Sequence, residues 1–136
     1  MSERTATFLK EWHRIVAERD IEALSQVLAA DVTIGAPPYW SRLEGHDLVL
    51  HLLGLILETI EDFTYHREWQ DDAELALEFR GRVGDTQLQA IDLITLNDRG
   101  EVQNIDVLMR PHNAIGELRE RIAPKMAEFL SSRAKG

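Results

Sequence analysis

The stretch that most limits how this chain can fold is residues 90–111, AIDLITLNDRGEVQNIDVLMRP. Its two halves read as strands folded back on each other around Asn97-Asp98-Arg99-Gly100, a turn cluster ending in the glycine such loops favour. Pairing Leu96 with Glu101 sets Asp92 opposite Ile105, Ala90 opposite Val107 and Leu88 opposite Met109. With the two-residue period of a strand, these side chains share one face with Ile94. That face is apolar except for one carboxyl, Asp92. A lone acid there is costly unless paired or protonated, so it marks either a structural contact or a site.

Helices precede this hairpin. Residues 5–19 carry Phe8, Leu9, Trp12, Ile15 and Val16 at helical spacing, one buried stripe. Asp20 caps a second short helix over residues 21–29, with Glu22 in its first turn. Residues 32–36 form a short strand stopped by Pro37-Pro38, and the loop 37–44 holds Tyr39 and Trp40. A third helix over residues 47–60 is apolar nearly all round, which predicts deep burial.

From Phe63 the period changes to two. Phe63, Tyr65, Arg67 and Trp69 alternate with polar neighbours, as do Leu75, Leu77, Phe79 and Gly81, before Gly84-Asp85 turns into the strand carrying Asp92. A last helix spans residues 113–132 with a stripe at Ile115, Leu118, Ile122, Met126 and Phe129, which Pro124 is expected to kink or split. Helices first, antiparallel strands next and a closing helix define an α+β class, and 136 residues suit one domain, 1–136. A curved sheet with helices plugging its concave side would leave a cone with an apolar interior, Asp92 pointing inward.

Several function classes drop out. A formal charge of −9 with 15 scattered Lys and Arg argues against a nucleic-acid partner. The absence of cysteine excludes disulfides, thiol nucleophiles and thiolate metal sites. His46 and His51 lie about 140° apart around a helix axis, and the other histidines have no partner at ligand spacing, so neither a metal nor another cofactor is expected. The apolar run 48–57 is too short to span a bilayer and the N-terminus lacks a signal-peptide core, so a cytoplasmic location without membrane contact is expected.

With helices and hairpin placed, the chain resembles the NTF2-like superfamily, nearer its ketosteroid isomerase and SnoaL-like polyketide cyclase branch than the transport factors. The resemblance covers residues 8–111. RDIEALSQVLAADVTIGAP, residues 19–37, is similar to the family's helix–helix–strand opening, and FRGRVGDTQLQAIDLITLNDRGEVQNIDVLM, residues 79–109, to its last three strands. It implies a cone: a curved antiparallel sheet wrapped around the N-terminal helices, here with an added C-terminal helix. Ketosteroid isomerases use a carboxylate base, together with a tyrosine and a neutral aspartic acid that hydrogen-bond the oxygen becoming an enolate. By resemblance the aspartic acid falls on Asp92 of AIDLITL and the tyrosine on Trp12 of LKEWHRI, whose indole donates but cannot accept a proton. The base position falls on Ala36 of TIGAP, which has no proton chemistry.

Two readings of Asp92 stay open: a general acid or donor in an apolar pocket, or a structural carboxyl satisfied by Trp12 or a backbone amide. Trp12 is either core or a second donor, and His46, just before the third helix, is the candidate polar companion of Asp92. Tyr39 and Trp40 are candidates for a pocket rim, a dimer contact or simple packing. Leu77, Phe79, Ala90, Ile105, Val107 and Met109 are the expected pocket walls. On the opposite sheet face, Ile91, Leu93 and Leu108 among Asp106, Glu78 and Arg80 point to a homodimer. Three functions follow: acid–base isomerisation, cyclisation or dehydration of a small hydrophobic carbonyl compound; binding of a small hydrophobic ligand without turnover; or a dimerisation scaffold with a closed core.

Overall fold

A computed structural model describes residues 3–135. In chain order these form α1 (Glu3–Glu18), α2 (Ile21–Val27), β1 (Leu28–Gly35), β2 (Leu43–Glu44) and α3 (His46–Thr59). There follow β3 (Glu61–Asp71), β4 (Glu74–Val83), β5 (Thr86–Leu96), β6 (Val102–Arg110) and α4 (His112–Lys135). The strands make one curved sheet in the order β2-β1-β6-β5-β4-β3. All neighbours are antiparallel except β1 and β6, which run parallel, so the sheet is mixed. The meander β3 to β6 needs only tight turns, whereas β1 meets β6 after a long crossover that includes α3.

Phe8, Leu9, Trp12, Ile15 and Val16 of α1 bury their stripe against the sheet's concave side. Asp20 caps α2, its carboxylate accepting from the Ala23 amide at 3.1 Å. Val49, Leu52, Leu53, Leu55 and Leu57 sink α3 into the same core. Leaving α3, the chain crosses β4 at Gly81, where an added Cβ would lie 2.9 Å from the Glu61 carbonyl oxygen. β1 begins earlier than the sequence predicts, β2 is a strand where a loop is expected, and α4 runs through Pro124 as a single helix rather than splitting there.

Two corrections concern register. Asp92 lies opposite Val107, not Ile105; Ala90 faces Met109, and Ile94 faces Ile105. The turn and a bulge beside it cause this. Asn97 Oδ1 accepts from the amides of Arg99 at 2.9 Å and Glu101 at 3.0 Å, with Gly100 at φ 77°, so Glu101 belongs to the turn and Leu96 pairs with Val102. That is a shift of one residue; a second is taken up at Gln103, which is left unpaired between Leu96–Val102 and Thr95–Asn104, so the strand pairing moves by two and the inward-facing set is unchanged.

The second correction is in β3. Tyr65 pairs with Phe79 but Arg67 with Glu78, so a bulge at His66 turns the rest of the strand over. Arg67 and Trp69 therefore leave the face they were expected to share with Phe63 and Tyr65, and Trp69 is 49% exposed. The flip brings Arg67 Nε to 2.5 Å from the fully buried carboxylate of Glu78, which Arg80 and Gln89 also reach. Those donors, Arg67 first and then Gln89, hold the Glu78 carboxyl down at about 2. Among the described residues no helix is long and apolar enough to cross a membrane.

Candidate functional site

Three side chains from three elements meet inside the cone. Trp12 comes from the buried stripe of α1, Tyr65 from the inward face of β3 just before its bulge, and Asp92 from the middle of β5. The Trp12 indole Nε1–H donates to the Tyr65 hydroxyl at 3.0 Å. That hydroxyl donates to Asp92 Oδ2 at 2.9 Å. Phe63 stacks on Phe79 with centroids 4.3 Å apart, and the Tyr65 ring stands edge-on to both, at 5.2 and 6.0 Å, which fixes the phenol's direction.

Asp92 is 8% exposed, and its second oxygen, Oδ1, has no hydrogen-bond partner among the described residues. Burial pushes its carboxyl up from 3.8 to about 7, against the Tyr65 hydrogen bond, which favours the charged form. Burial also drives the Tyr65 phenol well above its ordinary value, and the Asp92 charge adds to that. Near neutral pH the site therefore holds a carboxyl close to half protonation beside a phenol that keeps its proton. Such a carboxyl can donate a hydrogen bond, give up a proton or take one.

Asp92 lines a cavity of about 560 Å³ between the sheet, α1, α3 and α4. Trp12, Phe79, Val107 and Met109 line it too, with Tyr39 and Trp40 on the loop at its mouth. Leu77, Ala90 and Ile105, expected as walls, are buried in the core and do not border it. For Ile105 the register accounts for this: it pairs with Ile94, and Val107 stands opposite Asp92 in its place. Ala36 borders the cavity and brings no ionisable group.

His46 is not the companion of Asp92. Its Nε2–H donates to the Ser25 carbonyl at 2.7 Å and Nδ1 lies 3.1 Å from Asp47 Oδ1, contacts that raise its pKa and tie α3 to α2 outside the cavity. Tyr65 is the residue the sequence reading passed over. Its signal was present in its alternation with Phe63, which places it inward. Arg42 and Arg119 at the mouth gave none. Arg42 is engaged by Asp106 at 2.5 Å and by Asn104, while Arg119 Nε donates to the Tyr39 hydroxyl at 2.8 Å. Among the described residues no three His, Asp or Glu side chains converge as a metal site.

A scan against protein-family models finds no match, and a search of curated proteins finds none. Solved structures do match. A steroid delta-isomerase from Pseudomonas aeruginosa shares 31% identity and a TM-score of 0.89, over 96% of this chain and 97% of that one. A protein with a cystatin-like fold from Silicibacter pomeroyi DSS-3 shares 32% identity and a TM-score of 0.86, over 93% and 92% of the two chains. An NTF2-like protein of unknown function from Cytophaga hutchinsonii, at 16% identity, shares the fold with a TM-score of 0.64 over 80% of this chain and 92% of that one. With this cone held end to end in common with a relative 31% identical, the chain belongs to the NTF2-like superfamily.

Proposed function

We propose that this protein binds a small, mostly apolar molecule bearing a carbonyl or hydroxyl oxygen, and that Asp92 holds that oxygen. The observation that carries the reading is the asymmetry of the Asp92 carboxyl: Oδ2 is taken by Tyr65 while Oδ1 has no partner among the described residues, in a cavity otherwise lined mainly by apolar groups. A volume of about 560 Å³ falls within the range of small-molecule sites, about 300–1,000 Å³. The 31%-identical steroid delta-isomerase supports a ligand of this class.

Turnover would be acid–base isomerisation, cyclisation or dehydration, with Asp92 moving the proton and Tyr65 steadying the charge. Asp92 is the one acidic side chain lining the cavity among the described residues. Alanine at position 36 favours the second reading, binding without turnover. The test is a titration with a rigid polycyclic ketone and its deoxy analogue, followed by NMR of the ketone in deuterated water. Preference for the ketone, reduced by Asp92→Asn, supports the pocket, and protein-dependent deuteration beside the carbonyl adds catalysis. Equal binding of the two compounds, unchanged by the substitution, overturns the reading.

Leu93, Leu108 and Trp69 are exposed, with Leu93 and Trp69 on the outer sheet face across from Asp106 and Ala76, which supports pairing of two copies through that face. A single species of monomer mass in sedimentation at tens of micromolar would rule this out.

A further inference from the structure

Two arginines border the mouth of the cavity, and one of them is held by a phenol. Tyr39, on the loop after β1, and Arg119, on α4, meet there: the Arg119 Nε–H donates to the phenol oxygen at 2.8 Å, and the guanidinium carbon lies 5.7 Å from the centre of the ring. Of the two arginines bordering the cavity, Arg42 is spent on Asp106, Asn104 and the Ile105 carbonyl. Arg119 is not. It forms no ion pair among the described residues, its one hydrogen bond goes to a neutral hydroxyl, and its terminal nitrogens have no partner there. The Tyr39 hydrogen bond is the main influence holding its charge, and its chain neighbour Glu120 adds only through space.

A guanidinium fixed through Nε still presents its outer N–H groups as a fork, a geometry that matches one carboxylate. A phosphate dianion would call for more than one unpaired cation, and a protein of net charge −9 supplies no broad positive field. We infer that Arg119, held by Tyr39, is a subsite for a carboxylate, so that the ligand is an apolar acid with its carboxylate at the mouth and its oxygen at Asp92. This rests on the reading of Asp92 as the ligand's inner pole. It adds what that reading lacks: an orientation and a charge.

The probes are an androstenone carrying a carboxylate on its five-membered ring and the matching neutral carboxamide, titrated calorimetrically. The acid is expected to bind about 2- to 5-fold tighter than the amide, the upper part of the range for an ion pair at a partly open site. Arg119→Gln should erase the difference while leaving amide affinity in place, and Tyr39→Phe should reduce it by unfixing the guanidinium. Raising the salt should narrow it in the native protein. Equal binding of acid and amide, or a preference that survives Arg119→Gln, overturns the subsite. If both probes then still weaken with Asp92→Asn, the inner site stands and only the anion subsite falls; if neither probe binds, both fall.

Discussion

Replacing Asp92 by Asn tests the burial of its carboxyl through stability alone, without knowledge of the ligand. The carboxyl titrates at about 7 in the fold against an ordinary 3.8, because burial disfavours its charge more than Tyr65 favours it. An acid raised in this way stabilises the fold fully below its unfolded value, and that stability is lost as pH rises through the folded value. The loss therefore falls between pH 3.8 and about 7. At about 1.4 kcal/mol per pH unit it amounts to roughly 4 kcal/mol, against a total of about 5–15 kcal/mol for a typical domain.

Asparagine keeps the shape, and its carbonyl can still accept from Tyr65, but it does not titrate. The two proteins should thus be close in stability near pH 4, and Asp92→Asn should be the more stable near pH 8 by up to about 4 kcal/mol, or about 10 °C in melting temperature. Glu78 and His46 titrate in both proteins and cancel in the difference. Urea unfolding of the pair at intervals between pH 4 and 8 makes the measurement. A difference constant with pH would refute the argument, since it would mean that Asp92 titrates alike folded and unfolded.

Tyr65→Phe removes the acceptor of Trp12 and the donor to Asp92 together; it should cost about 1–3 kcal/mol by denaturant unfolding and raise the Asp92 titration further, because the lost bond favoured the charged form. Glu78→Gln acts on the outer face: the wild-type carboxyl, held near 2, contributes stability above its ordinary 4.5 that is lost as pH falls through about 2. Melting temperature should fall more steeply across that interval in the wild type than in the variant, because Glu11, Asp20 and Glu101, also held low, titrate in both. Gly81→Ala sets a methyl 2.9 Å from the Glu61 carbonyl oxygen and should cost about 1–3 kcal/mol in the same unfolding assay.

What the sequence made legible was parity. Alternation put Asp92, Ala90, Ile94, Val107 and Met109 on one face, and a two-residue change of pairing preserves faces, so the inward set survived an incorrect register. The register depended on where Asn97 aims its side chain and on the extra residue at Gln103, neither of which alternation encodes. The bulge at His66 was illegible for the same reason: one extra residue reverses every later side chain, yet β3 alternates as if unbroken. Asp92 stood out because its neighbours are apolar. Its partner Tyr65, 27 positions away in sequence, emerged only when β4 lay between the two strands. His46 was placed by chain proximity to the Tyr39–Trp40 loop, but its ring turns towards α2. Arg119 follows the buried Leu118 in α4, and nothing local distinguishes it from the exposed charges around it.

The most direct test is to follow the carbon-13 signal of the Asp92 carboxyl by NMR against pH, with and without a rigid polycyclic ketone. The expected inflection lies near pH 7 for the free protein and moves upward with the ketone, because a carbonyl accepting from the neutral acid stabilises its proton. An inflection near 4, unmoved by the ketone, would contradict the account at its centre.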